Sequence, residues 1–193
     1  MMKNTVLLCF CLAIFFISGC TTASNRSHTP KIISEQEFKN KYPDVIELKQ
    51  RMNNATSHSY SPVHGTQIEY NAADGRSFLW YPGNKIILPS EWKIQSGSKS
   101  ITVHVQTANG VDIRKVITPD ICYRYGGSTI NRVTNQRGGK WECQNYRIHQ
   151  LFNVELRKGD VFKLSKKSLP PFTLKRNKTT IGQLLSQCKN CRG

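Results

Sequence analysis

Hydrophobic and polar positions follow three rhythms along this chain, and each predicts a different element. Phe38, Tyr42, Val45, Ile46, Leu48 and Met52 recur at roughly helical spacing, the pattern of a helix with one apolar face. Ser34-Glu35-Gln36-Glu37 reads as a capping box ahead of them, with Ser34 as N-cap and Glu37 reaching back. Pro43 interrupts the run and suits the first turn of a second helix, where its missing N–H costs nothing. Residues 34–55 are thus expected to form a short helix and a longer one ending near Asn53-Asn54, with their apolar face on a sheet.

Past Ala55 the period falls to two, in short runs broken by turn residues. The expected strands are Thr66–Tyr70, Arg76–Tyr81, Lys85–Leu88, Trp92–Gln95, Ser100–Thr107, Val111–Ile117, Tyr146–Leu156 and Val161–Leu164. Asn109-Gly110 is a two-residue hairpin signal between two of them. Strands that are mostly neighbours in sequence imply an antiparallel meander. The expected class is mainly β, a small antiparallel barrel or sandwich over 56–165, with an N-terminal helical segment and a short C-terminal helix. That last helix spans roughly Thr180–Gln187 and buries Ile181, Leu184 and Leu185.

The third rhythm is an unbroken apolar run, Val6–Ile17, after Lys3. It has signal-peptide length and is short for a membrane span. The run ends in Ile17-Ser18-Gly19-Cys20, which resembles the lipobox of bacterial lipoproteins. The resemblance implies a signal peptide over 1–19, cleavage before Cys20 and a diacylglycerol on its thiol. Thr21 stands where an aspartate would signal inner-membrane retention, so the resemblance implies a lipid anchor in the outer membrane, where two acyl chains hold stably. Residues 20–33 are polar and read as a tether.

Export changes how the cysteines are read. Four remain after Cys20, namely Cys122, Cys143, Cys188 and Cys191, and in an oxidising compartment they read as disulfides with three possible connectivities. Closeness in sequence favours Cys122–Cys143 with Cys188–Cys191. Closing the first loop is worth about 3 kcal/mol on the chain-entropy account. A redox role for Cys188-Lys189-Asn190-Cys191 lacks its βαβ setting, and two cysteines with scattered histidines lack the pattern of a zinc site. No metal or cofactor is expected.

The stretch Ile121–Gln144 organises the middle of the chain. Two strand-like ends, Ile121–Tyr125 and Trp141–Gln144, flank a polar arc with Gly126-Gly127 and Gly138-Gly139 at its ends. Arg124, Arg132, Arg137 and Lys140 lie near Tyr123, Tyr125 and Trp141 in sequence. Cations beside aromatic rings suit anions and sugars, so these seven are the candidate ligand-binding residues. Alternation puts Tyr123 and Tyr125 on one face and Cys122 and Arg124 on the other.

The stretch also resembles a family of short exported bacterial proteins with no assigned activity. The residues that carry the likeness are Phe78-Leu79-Trp80-Tyr81-Pro82-Gly83-Asn84, Glu91-Trp92-Lys93, Ile121-Cys122-Tyr123-Arg124-Tyr125-Gly126 and Gly138-Gly139-Lys140-Trp141-Glu142-Cys143. Glu91 replaces the family's usual glycine, and the stretch from Trp92 to Ile121 is longer. The likeness spans roughly Thr66 to Gln144 and implies a small disulfide-linked β domain without adding a catalytic residue.

Charge narrows the partners. The chain carries a formal net charge of +16, which favours anionic partners. Residues 140–193 hold about a dozen Lys and Arg against three acids. Residues 166–193 are read as a basic tail in which Lys166, Lys167, Lys175, Arg176 and Lys178 face an anionic surface. No G-x-S-x-G or H-E-x-x-H is present; Glu69, Asp74, Glu91 and Glu142 are acids that could pair in space for acid–base work. The expected role is non-enzymatic: an outer-membrane lipoprotein that binds or organises anionic lipid, lipopolysaccharide or peptidoglycan, or a partner protein. An envelope hydrolase and a secretion- or conjugation-apparatus lipoprotein are the alternatives. Envelope location disfavours nucleic acid as a partner.

Overall fold

A computed structural model describes residues 30–130 and 137–191. The signal segment, Cys20, most of the tether and Arg132 lie outside the described residues. Among the described residues ten strands form two sheets, as a mainly β chain should. Seven antiparallel strands make a half-barrel in the order β10-β2-β3-β4-β5-β8-β9. They are β2 (Ala55–Ser61), β3 (Gly65–Asn71), β4 (Arg76–Trp80), β5 (Leu88–Gln95), β8 (Asp120–Tyr125), β9 (Glu142–Asn145) and β10 (Asn153–Lys158). The hairpin of β6 (Ser100–Thr107) and β7 (Gly110–Ile117) leaves between β5 and β8 and takes β1 (Ile32–Ser34) as a parallel partner of β6. At its neck the chain crosses itself so closely that a Cβ on Gly97 would lie 2.1 Å from the Thr118 carbonyl oxygen.

The helices follow their caps. Ser34 accepts from the Glu37 N–H and starts α1 (Glu35–Lys41), while the Glu37 carboxylate pairs with Lys41. The full capping box belongs to α2 (Val45–Met52), between Asp44 and Glu47, and Pro43 stands just ahead of it. Leu48 and Met52 of α2 pack on Trp92 and Ile121 of the half-barrel. Phe38 and Tyr42 cover Ile33, Val103 and Val105 of the small sheet. The other face of that sheet leaves Val111, Ile113 and Ile117 exposed.

Five segments differ from the expectation. Lys85–Leu88 is no separate strand; β5 starts at Leu88 and runs through Trp92. Tyr146–Leu156 is a helix, α3 (Tyr146–Phe152), followed by β10, because Asn145 accepts from the Arg147 N–H and caps a turn. Val161–Leu164 is not extended: the Asp160 carboxylate takes the N–H groups of Leu164 and Ser165 and the Ser165 hydroxyl, which bends the chain into a 3-10 turn at Leu164–Lys166. Ile32–Ser34, read largely as tether, and Ala55–Ser61, whose A-T-S-H-S-Y-S has no apolar alternation, are strands.

Residues 161–191 do not stand apart from the β domain. They form one side of its largest core, in which Phe162, Leu164, Leu174, Ile181 and Leu184 meet Ile68, Tyr70 and Trp80. The short helix α4 (Ile181–Gln187) is held by a capping box between Thr180 and Gln183. The segment passes so near β3 that a Cβ on Gly65 would lie 2.6 Å from the Arg176 Cα. Leu184 is 3% exposed. Its replacement in Leu184→Ala should cost about 2–5 kcal/mol, read as a lower denaturation midpoint of the whole domain. A midpoint equal to wild type would mean that the tail is an appendage.

Candidate functional site

The candidate cluster around Ile121–Gln144 is divided by the sheet. Cys122 and Cys143 sit directly opposite each other on β8 and β9 and form a disulfide, and Cys188 and Cys191 form the second. On the outer face, Arg124 donates to the Glu91 carboxylate at 2.7 Å, across β8 and β5. Its guanidinium also lies 5.0 Å from the centre of the Trp141 ring, and the Lys93 ammonium lies 4.5 Å from that centre. Arg124 and Trp141 are therefore engaged with each other, and the Arg124 charge is neutralised by Glu91. Arg137 and Lys140 are exposed. Tyr123 and Tyr125 point to the opposite face, as their alternation with Arg124 requires. Among the described candidates, Arg124 and Trp141 thus lie on one face of the sheet and Tyr123 and Tyr125 on the other.

The inner face holds a polar network on four adjacent strands. Asn71, Ser77, Ser90 and Tyr125 are register partners in sequence across β3, β4, β5 and β8. Glu69, two residues before Asn71, shares their face. One carboxylate oxygen of Glu69 accepts from the Ser77 hydroxyl at 2.8 Å and from the Tyr125 hydroxyl at 3.2 Å. Ser77 and Ser90 hydrogen-bond each other. The Tyr123 and Tyr125 rings stack at 6.3 Å, and the Asn71 amide donates to the Tyr123 hydroxyl.

Glu69, Tyr123, Tyr125 and His149 of α3 share a further property. Each is only half-buried by surface area, yet its polar group is ringed by protein. Burial therefore penalises the charged form of each. Burial pushes the Glu69 carboxyl up to about 7, against the downward pull of its hydrogen bonds from Ser77, Tyr125 and Ser90. Burial, then the Glu69 charge, holds both tyrosine hydroxyls well above their usual range. Burial lowers His149 to about 4, which keeps its ring neutral. A carboxyl that titrates near neutrality can donate or accept a proton at working pH. A shallow cleft of about 350 Å³ at the ends of β5 and β8, lined in part by Ser90, Tyr125, Gly126 and Gly139, borders this network.

The tail cations lie elsewhere. Lys166, Lys175, Arg176 and Lys178 are exposed and Lys167 is half-buried. Among the described residues none of the five makes a salt bridge. Lys178 lies 5.9 Å from the Tyr60 ring centre, and Arg176 donates to the Val63 carbonyl. Lys158 is different: its ammonium donates to the carbonyls of Gln50, Arg51 and Asn53 and closes the end of α2.

Comparison with protein-family models, curated proteins and solved structures finds no match. The site is therefore argued from its own geometry. Sequence reading named Glu69 only as one of four acids; period-two alternation places it with Asn71, but Ser77, Ser90 and Tyr125 join it only through strand register.

The Glu69 carboxyl titrates near 7 when folded against an ordinary 4.5, so between these values the folded state holds a proton that the unfolded chain has released. Its contribution to stability is full below about 4.5, declines as pH rises to about 7 and stays lost above. Glu69→Gln should remove this decline and gain on wild type above pH 7 by on the order of 3 kcal/mol. Melting temperature against pH for both proteins checks this; parallel curves would mean that Glu69 titrates as an ordinary carboxyl.

Proposed function

We propose that this chain is an exported lipoprotein, anchored by lipid at Cys20, whose β domain binds anionic envelope material without turning it over. One observation carries the reading: five tail cations are held at the surface by a segment built into the core, and among the described residues none of them is paired with an acid. Cations fixed in this way keep their attraction for an outside partner. On a domain tethered to a membrane, each basic residue close to anionic head groups adds on the order of 1 kcal/mol. The lipobox and the likeness to short exported proteins support the compartment. Lipopolysaccharide, anionic lipid and peptidoglycan all offer the required negative charge, and a secretion or conjugation apparatus would be an equally apt setting for such a lipoprotein.

An envelope hydrolase is the second reading, and the Glu69 network favours it. A carboxyl poised near 7 beside a tyrosine hydroxyl has the chemistry of a general acid. Hydrolysis of envelope polymer by wild type that Glu69→Gln abolishes would establish it.

Two measurements test the first reading. Cys20→Ala should move the protein from membranes to a soluble envelope fraction, and continued membrane fractionation would remove the anchor from the proposal. The chain from residue 21 onward should bind anionic vesicles at low salt and release them toward about 0.5 M, where the Debye length is roughly 4 Å. Replacing Lys166, Lys167, Lys175, Arg176 and Lys178 with Gln should abolish most of that binding and leave the melting temperature unchanged. Undiminished binding by the Gln variant would assign the tail another purpose.

A further inference from the structure

Not all tail cations share the same surroundings. A cleft of about 630 Å³ opens between the segment after the 3-10 turn and the end of α4. Lys166, Lys167 and Lys189 line it, together with Leu169, Pro170, Pro171 and Phe172, and among the described residues no carboxylate does. Lys175, Arg176 and Lys178 do not line it.

Both walls are fixed by the fold. On one side, Asp160 accepts from Leu164 and Ser165 and sets the 3-10 turn that carries Lys166. The Ile87 N–H then donates to the Ser168 carbonyl at 2.9 Å, and Phe172 stands edge-on to Trp80 at 4.9 Å. Pro170-Pro171 stiffens the stretch between these two fastenings. On the other side, Cys188 and Cys191 are both buried in the main core and joined by their disulfide. Lys189 lies on the short turn between them, so the C-x-x-C serves to aim a cation at the cleft. The nearest acid in sequence to Lys166, Asp160, is already engaged by three donors.

The cleft therefore combines three cations with an apolar wall that includes Leu169, 62% exposed. Free phosphate would use the lysines and leave that wall in water, whereas a phosphate that carries an alkyl chain would engage both. We propose that this cleft is the docking site for a phosphate-bearing lipid, with the head-group phosphate on Lys166, Lys167 and Lys189 and the first acyl carbons against Leu169 and Pro170-Pro171. The proposal rests on the anionic-envelope reading above and gives it a defined site.

The test is calorimetric titration of the chain from residue 21 onward, which contains every described element, with monomeric dihexanoyl phosphatidic acid. Saturable binding is expected. A Lys166→Gln, Lys167→Gln, Lys189→Gln variant should weaken it by roughly a hundredfold. A Lys175→Gln, Arg176→Gln, Lys178→Gln variant, equal in charge removed, should change it by less than about threefold. Leu169→Ser should weaken the lipid and leave any competition by inorganic phosphate unchanged. Melting temperatures equal to wild type confirm that the variants are folded. Equal losses from the two triple variants would leave diffuse electrostatic attraction standing and overturn the cleft. Inorganic phosphate binding as tightly as the lipid would overturn the lipid as its occupant. A wild-type chain that binds vesicles without saturable uptake of the monomer would overturn the cleft alone, and one that binds neither would overturn the anionic-envelope reading with it.

Discussion

The fold depends on the packing of one tryptophan. Trp80 on β4 is fully buried, with Phe162 at 5.4 Å and Phe172 at 4.9 Å, both edge-on to its ring. Those two residues lie on either side of the 3-10 turn, so a single side chain fastens the start of the C-terminal segment to the middle of the half-barrel. Edge-on aromatic pairs are worth about 0.5–1.5 kcal/mol each beyond the area they bury. The larger effect is topological. Once the segment is fastened here, Leu174, Ile181 and Leu184 are brought onto the outer face of the sheet, and Gly65 and Thr66 receive its backbone. A sheet with seven strands and only α2 as cover would leave that face in water.

Where local chemistry decides structure, the residues state it plainly. The Cys188–Cys191 disulfide, the Ser34 cap and the last helix needed only neighbours in the chain. The β6–β7 hairpin was also readable, although its turn residues are Ala108-Asn109 and Gly110 pairs with Thr107 at a φ of +122°. What could not be read was set by distant partners. Strand β2 is polar along most of its length, yet Thr56, Ser57 and His58 are buried because β10 and β3 flank them. Alternation fails as a signal when buried positions are hydroxyls satisfied by backbone: Thr56 donates to the Gly159 carbonyl and Ser57 to that of Glu69. The opposite error arose at α3, where Tyr146 and Ile148 mimic the start of an alternating run. Ile148, Leu151 and Phe152 remain exposed on the helix while Tyr146 packs on the α2 cluster, and the Asn145 cap starts the turn.

The site was legible to the same degree. Parity alone separated Tyr123 and Tyr125 from Arg124, and the structure keeps them apart. Closeness in sequence nevertheless grouped them with Arg124, and a sheet defeats that inference because neighbours in a strand face opposite ways. The Glu69 network was invisible for a complementary reason. Its members come from four strands spread over residues 69–125, and only the pairings Asn71–Ser77, Ser77–Ser90 and Ser90–Tyr125 assemble them.

A chain with a formal charge of +16 should pull the pKa of any carboxyl down, yet Glu69 moves up. The conflict is settled by distance and dielectric. No lysine or arginine contributes to the Glu69 shift, whose leading cause is burial. The tail cations stand in solvent, where charges farther away than the Debye length of ~8 Å at physiological salt are largely screened. Desolvation acts at the carboxyl itself and is not screened at all. The protein therefore carries two electrostatic regimes separated by its sheet, a recess where burial governs protonation and an exterior where net charge governs attraction. Among the described residues the two sets of groups share no hydrogen-bond partner, and the tail cations are absent from the causes of the Glu69 shift.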